Sequence, residues 1–175
     1  RGFNILFSDM SGYHSSIKKA ANEYDDVAIL VSVEPEPWAP NVSIYDAWFQ
    51  DGCYLAGYLA GLASKTGVIG AVGSYMTPDV VVSMNGYIEG AKAANPDVVI
   101  RLTNVETWFD PPKVMEATFS LIEAGADHII GFTYGVDQAC QERGVFSFAT
   151  YTDNIPIAPD NVMGSVIWDF YPAAK

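Results

Sequence analysis

The amino-acid sequence predicts an α/β fold in which helices cover a mainly parallel β-sheet. Short runs rich in β-branched residues alternate with longer segments of helical period, which is the pattern of strands joined by crossover helices. The chain has 175 residues, half of them apolar, which is enough to bury a core and excludes a disordered chain. In addition, polar residues followed by proline begin two of the helical segments, as helix starts favour.

The strands are predicted from apolar, β-branched runs of four to seven residues. In chain order the expected strands are Asn4–Ser8, Val27–Val31, Val42–Tyr45, Gly67–Val72, Val98–Thr103, His128–Gly131, Val145–Phe148 and Val162–Trp168.

The helices are predicted from apolar residues that recur with helical period. They are expected at Tyr13–Tyr24, Ala47–Ser64, Asp79–Ala94, Pro112–Ala124 and Val136–Arg143. Thr77 before Pro78 and Asp110 before Pro111 are the polar caps of two strand-to-helix turns. The apolar stretch Tyr54–Ala63 has about half of the roughly 20 residues that span a membrane, so we expect a buried helix there.

The remaining segments indicate a linker and an incomplete domain. Proline fixes backbone angles and cannot continue a helix, so Pro35–Pro40 is expected to be an extended linker. The chain starts on a strand without the features of a signal peptide, and it stops at Asp169–Pro172 with no helix to cover the last strand. We therefore expect a fragment of a longer protein, with any targeting segment outside it.

Charge and motif content argue against nucleic-acid binding and catalysis. The formal charge of −12 would repel polyanions and anionic membrane surfaces. Cys53 and Cys140 lie in separate predicted helices without paired histidines, so we expect packing residues rather than a zinc or redox site. His14 and His128 lie away from the predicted carboxyl ends of the strands, and no nucleophile-elbow, phosphate-loop or metal-binding His motif is present. We expect no enzyme activity, no metal and no cofactor.

Aromatic residues concentrate where predicted strands end. Ligands of open parallel sheets bind beyond the carboxyl ends of the strands, and rings at such turns suit stacking on a flat ligand. Core packing is the alternative for each ring taken alone. The four aromatic turns are Asp46–Phe49, Ser74–Met76, Trp108–Asp110 and Phe132–Tyr134.

Three acidic residues near these turns have two interpretations each. Asp153, after the strand that ends at Phe148, is suited to accept hydrogen bonds from ring nitrogens or sugar hydroxyls, or to stabilise a turn. Asp46 has the same two interpretations. For Asp110 we favour the role of helix cap.

Ordered short motifs resemble the basic membrane protein family of bacterial substrate-binding lipoproteins, which deliver purine nucleosides and related ligands to ABC importers. The matching stretches occur in family order over nearly the whole chain. They are Ala39–Ser43, Asp51–Gly57, Asn95–Asp97, Trp108–Pro111, Gly125–Asp127, Thr152–Asp153 and Ser165–Asp169.

The resemblance implies the two-lobed type I periplasmic-binding-protein fold, with the ligand enclosed between the lobes. It divides the chain into 1–46, the end of the first lobe; 47–153, the second lobe; and 154–175, a hinge and return segment. The family often has Asp-Ser-Asp where this chain has Tyr151–Asp153, and Lys where it has Trp168. Aromatic rings at these places favour a planar base over a ribose.

From the resemblance we expect an importer component that captures a purine base or purine nucleoside. Its expected partner is an ABC transporter permease, and its expected location is the periplasm or cell surface of a bacterium, held by a lipid anchor outside this chain. The alternatives are a ligand-sensing regulatory module with the same fold and a binding protein for a sugar-like ligand. The expected ligand-binding residues are Asp46, Trp48, Trp108, Phe109, Phe132, Tyr151, Asp153 and Trp168.

Overall fold

A computed structural model shows two units, each built from parallel strands and helices. It describes residues 2–8, 13–32, 34 and 36–169, so Pro35 of the expected linker and residues 170–175 of the expected return segment lie outside the described part. The smaller unit extends to Ala47 and includes Asp169, and the larger unit is Trp48–Trp168. The α/β class predicted from the sequence is confirmed.

The smaller unit has a parallel sheet in the order β1-β2-β3 and one helix, α1. Its core contains Ile17 and Ala21 of α1, Ile29 and Val31 of β2, and Val42 of β3. The side-chain amide of Asn41, just before β3, donates to the carbonyl oxygens of Ala21 in α1 and of Tyr24 and Val27 in the turn between α1 and β2. The elements are β1 (Ile5–Ser8), α1 (His14–Glu23), β2 (Ala28–Ser32) and β3 (Val42–Tyr45).

The larger unit has a parallel sheet in the order β5-β4-β6-β7-β8, whose pairing shifts register between Ser147 and Phe148. The elements are α2 (Phe49–Ala63), β4 (Val68–Gly73), α3 (Pro78–Ala94), β5 (Val99–Asn104), α4 (Pro111–Glu123), β6 (His128–Gly131), α5 (Val136–Arg143), β7 (Phe146–Thr150) and β8 (Val162–Val166). All predicted strands and helices of the described residues lie within two residues of these bounds.

Glycines bring α2 and α3 into close contact. A Cβ atom at Gly57 of α2 would collide with the carbonyl oxygen of Tyr87, and one at Gly90 of α3 would collide with that of Tyr54. Small residues at both positions therefore let the two backbones approach directly. Tyr87 itself is fully buried in the core between these helices and the sheet.

The prediction of a wholly buried helix at Tyr54–Ala63 was wrong. Its small residues, such as Ala56 and Ala60, are buried, whereas Leu55 is 64% exposed and Leu62 is 61% exposed. Helical geometry places the two sets on different faces, so that the small residues are covered while the leucine side chains remain exposed. Both cysteines are buried free thiols, as expected of packing residues. No described helix is long and apolar enough to cross a membrane.

Candidate functional site

The carboxyl ends of the strands form one edge of the larger sheet. Because every pairing in this sheet is parallel, the loops that follow its strands emerge along the same edge. These loops contain residues 74–77 after β4, 105–110 after β5, 132–135 after β6, 151–154 after β7 and 167–168 after β8. The predicted aromatic turns of the larger unit are therefore brought to one place.

Three rings pack against one another at the β7 and β8 end of this edge. Tyr151 stacks on Phe49 with a centroid distance of 5.3 Å and an interplanar angle of 5°. Trp168 is tilted against both rings, with centroids 5.0 Å from each. We call Phe49, Tyr151 and Trp168 the inner ring cluster. Within this cluster, the ring of Phe49 is buried, while Tyr151 and Trp168 are half-buried.

Two further ring pairs lie on the β4, β5 and β6 loops. Tyr75 and Trp108 are 5.4 Å apart, and Phe109 and Tyr134 are 5.7 Å apart, both in tilted arrangements. The hydroxyl of Thr133 donates to the carbonyl oxygen of Trp108 at 3.2 Å, which ties the β6 loop to the β5 loop. Trp108 remains 43% exposed and Phe109 70% exposed, so both present apolar surface to solvent.

The other predicted site residues have different surroundings. Phe132 is fully buried in the core, so its expected role as a ligand-binding residue is corrected and the core-packing alternative applies to this ring. Trp48 is 69% exposed at the start of α2. Asp46 belongs to the smaller unit, where its carboxylate accepts a 2.7 Å hydrogen bond from the amide of Ala47.

Asp110 is a helix cap, as predicted. Its Oδ1 accepts a hydrogen bond from the amide of Lys113 at 3.2 Å, in the first turn of α4. The carboxylate therefore holds the turn that presents Trp108 and Phe109.

Asp153 is exposed and held by its own loop. Its Oδ1 accepts from the amide of Ile155 at 3.1 Å and from the hydroxyl of Ser165 at 3.2 Å. One carboxylate thus links the β7 loop to β8, and its surface exposure leaves it able to accept further hydrogen bonds. The two sequence-based interpretations of Asp153, turn and acceptor, are compatible.

A buried polar network lies beneath this loop, and sequence reasoning missed it. Asp137 accepts from the hydroxyl of Ser147 at 2.6 Å and from the side-chain amide of Asn154 at 2.8 Å. The Oδ1 of Asn154 accepts from Thr152 at 3.0 Å, and its backbone amide donates to Ser165 at 3.2 Å. Nothing in the amino-acid sequence distinguishes Asp137 from a solvent-facing residue of a helix.

Left-handed backbone angles recur in the strand-end loops. Among the described residues other than glycine, positive φ occurs at Trp48, Glu106 and Tyr151, with values of 47°, 52° and 69°. Each residue lies in a segment that follows the carboxyl end of a strand. Such conformations cost about 1 kcal/mol or more and concentrate at functional sites. Two of the three are aromatic residues predicted to bind ligand.

The surroundings of the Tyr151 phenol raise its pKa. Burial is the main cause that raises its pKa above the ordinary value, and the nearby carboxylate of Asp79 raises it further. The phenol of Tyr151 therefore resists ionisation more than an ordinary tyrosine does. Among the residues that the structure describes, no group of His, Cys, Asp and Glu side chains is placed to hold a metal ion.

The sequence matches a protein family along nearly its whole length. Residues 1–174 match the family described as ABC transporter substrate-binding protein, PnrA-like. The chain belongs to this family. A purine-binding protein of Brucella abortus is 33% identical over 98% of the chain and 49% of its own length. The resemblance to substrate-binding proteins inferred from the motifs is confirmed.

Another relative is named for a different ligand, and a solved structure shares the fold. A putative ABC transporter glucose-binding protein of Haloferax volcanii is 27% identical over 95% of the chain and 43% of its own length. A solute-binding protein of an Aeropyrum pernix ABC transporter system has the same fold, with a TM-score of 0.79 at 18% identity over 93% of the chain and 50% of that structure. The chain thus spans about half the length of the Brucella and Haloferax relatives, and about half of the Aeropyrum structure.

Proposed function

We propose that the larger unit binds a purine base or purine nucleoside for delivery to an ABC importer. The observation that carries this proposal is the row of exposed and half-buried rings along one sheet edge, with the acceptor Asp153 beside it. A flat heterocycle offers apolar faces to Trp108 and Phe109 and polar edge atoms to a carboxylate. The purine-binding relative supports the same ligand class.

Tyr151 and Trp168 complete the proposed contacts from the inner ring cluster. On the strength of the family likeness alone, Asp46 and Trp48 stay proposed ligand contacts. In line with the family likeness, we propose that residues 1–46 end one lobe, 47–153 form the second and 154–175 return toward the first. The proposed location is extracytoplasmic, with a lipid anchor outside these residues and a permease as partner.

Isothermal titration calorimetry of the full-length polypeptide tests the ligand. We expect binding heat with at least one of adenine, guanine, hypoxanthine and their nucleosides. Trp108→Ala should weaken that binding by about fivefold or more, because base–aromatic stacking contributes about 1–3 kcal/mol. Phe146→Ala is the matched control, since this ring is partly exposed at the start of β7, at the opposite edge of the sheet. Absence of heat with every purine would refute the assignment.

A sugar is the second candidate ligand. The glucose-binding relative favours it, as does the hydroxyl-rich setting of Asp153, whose carboxylate is suited to sugar hydroxyls. Titration with glucose and ribose distinguishes the candidates. The sugar would be established in place of the purine by two results together. Trp108→Ala would leave sugar binding unchanged, and the protein would give no binding heat with any purine.

A further inference from the structure

Three side-chain oxygens between the end of β4 and the first turn of α3 are buried without a hydrogen-bond partner. They are Ser74 Oγ, Thr77 Oγ1 and Asp79 Oδ1. Ser74 is 0% exposed, and it directly follows the last residue of β4. We call Ser74–Asp79 the β4–α3 turn.

The backbone of this turn is well satisfied, in contrast to its side chains. The amide of Thr77 donates to the carbonyl oxygen of Tyr75 at 2.9 Å, and the carbonyl oxygen of Thr77 accepts from the amide of Val81 at 3.0 Å. Thr77 occupies the cap position of α3, yet its hydroxyl makes no capping bond. At the equivalent position of α4, Asp110 does make one. The unpaired oxygens are therefore not needed to hold the turn.

Leaving such atoms unpaired is costly. Buried polar side chains are nearly always hydrogen-bonded, and an unsatisfied one costs about 1–3 kcal/mol. Three of them fall within six consecutive residues here. The turn lies at the carboxyl end of a strand flanked on both sides in the sheet, which is where ligands of open parallel sheets bind.

The β4–α3 turn adjoins the rings on two sides. Tyr75, within the turn, contacts the ring of Trp108 at 5.4 Å. Asp79 is close enough to Tyr151 of the inner ring cluster for its charge to disfavour ionisation of the phenol. The turn that contains these oxygens therefore contacts Trp108 through Tyr75, and Asp79 is within electrostatic range of Tyr151.

We propose that the β4–α3 turn is the polar subsite of the ligand site, in which Asp79 accepts, and Ser74 and Thr77 accept or donate, hydrogen bonds to the ligand's edge. This inference rests on the proposed function and names the chemistry of the ligand: neighbouring N–H or O–H donors beside a flat or apolar face. The exocyclic amine and ring N–H groups of a purine carry such donors, and so do the hydroxyls of a sugar.

Calorimetry of the full-length polypeptide with adenine, hypoxanthine, adenosine and ribose tests the subsite. Asp79→Asn and Ser74→Ala should each weaken the best-binding probe by about fivefold or more, since one such bond contributes about 1 kcal/mol or more. Asp97→Asn is the control, because this exposed carboxyl lies before β5, at the opposite edge of the sheet. It should change affinity by less than about twofold.

The probes also identify the source of the donors. A loss seen with adenine and adenosine alike supports recognition of the base, and a loss confined to adenosine or ribose supports recognition of the sugar. If the wild type binds a probe while both variants bind it equally well, the subsite is refuted and the proposed function stands. If the wild type binds neither these probes nor the other purines, nucleosides and glucose of the ligand test above, the proposed function fails by itself.

Thermal unfolding without ligand tests the subsite independently of any probe. Because Ser74 Oγ and Asp79 Oδ1 lack partners, Ser74→Ala and Asp79→Asn should leave the Tm unchanged or raise it, as is common where binding residues are replaced. A Tm lowered by more than about 3 °C in both variants would show that these groups stabilise the fold, and would overturn the subsite.

Discussion

The side-chain amide of Asn154 donates a 2.8 Å hydrogen bond to Oδ2 of Asp137, which joins the loop after β7 to helix α5. Both residues are buried, and Ser147 donates to the second oxygen of the same carboxylate. Asn154 is the neighbour of Asp153, and both contact Ser165. The proposed acceptor at the surface is thus positioned by a carboxylate beneath it.

Removing Asn154 from this network should destabilise the protein and loosen the loop. Asn154→Ala leaves the buried Asp137 carboxylate with one partner fewer, so we expect a loss of about 1–3 kcal/mol in the free energy of unfolding. Ligand affinity should fall with it, because Asp153 is no longer held in place. Urea unfolding and calorimetry measure the two effects. Asp160→Asn, at an exposed position before β8, is the control and should leave both unchanged.

The close contact between α2 and α3 predicts a severe effect of a single methyl group. Gly57→Ala places a Cβ against the carbonyl oxygen of Tyr87, and backbone cannot yield as a flexible side chain can. We expect a loss of about 2 kcal/mol or more in the free energy of unfolding. Gly164→Ala in β8 is the matched control, because its Cβ would meet no atom within 4 Å. Equal stabilities of the two variants in urea would contradict the packing.

The Asp127 carboxylate should make stability depend on acid pH. Burial alone would raise its pKa, but hydrogen bonds from the ring of His128, the hydroxyl of Ser64 and two backbone amides outweigh burial and lower it. The folded pKa is then below the unfolded one. The contribution is therefore present above the ordinary value of 3.8 and is lost as pH falls below it.

Unfolding of Asp127→Asn compared with wild type across pH 3 to 7 measures this contribution. We expect the two proteins to differ most at neutral pH and to converge in acid. Asp97→Asn, whose carboxyl is exposed, should follow the wild type at every pH. A difference between Asp127→Asn and wild type that is constant down to pH 3 would rule out ionisation as the cause.

Local patterns were sufficient for most of the secondary structure. The spacing of apolar residues and the local composition predicted every strand and helix of the described residues. The helix cap at Asp110 was predicted because this acidic residue precedes two prolines. The same patterns erred at Phe132 and at Tyr54–Ala63, because burial depends on which neighbours approach. A ring at a strand end has the same sequence signature whether it faces a ligand or the core.

The sequence by itself determined the α/β class, the family and the concentration of rings at strand ends, since these depend on periodicity and on motifs that are continuous in the chain. Only the tertiary structure decided the strand order β5-β4-β6-β7-β8, and with it which turns are neighbours. It paired Tyr75 with Trp108 and buried Asp137 beneath Asp153. It also left Ser74, Thr77 and Asp79 with unpaired oxygens. Such facts concern contacts between residues distant in sequence or the solvent exposure of single atoms, and no local pattern contains them.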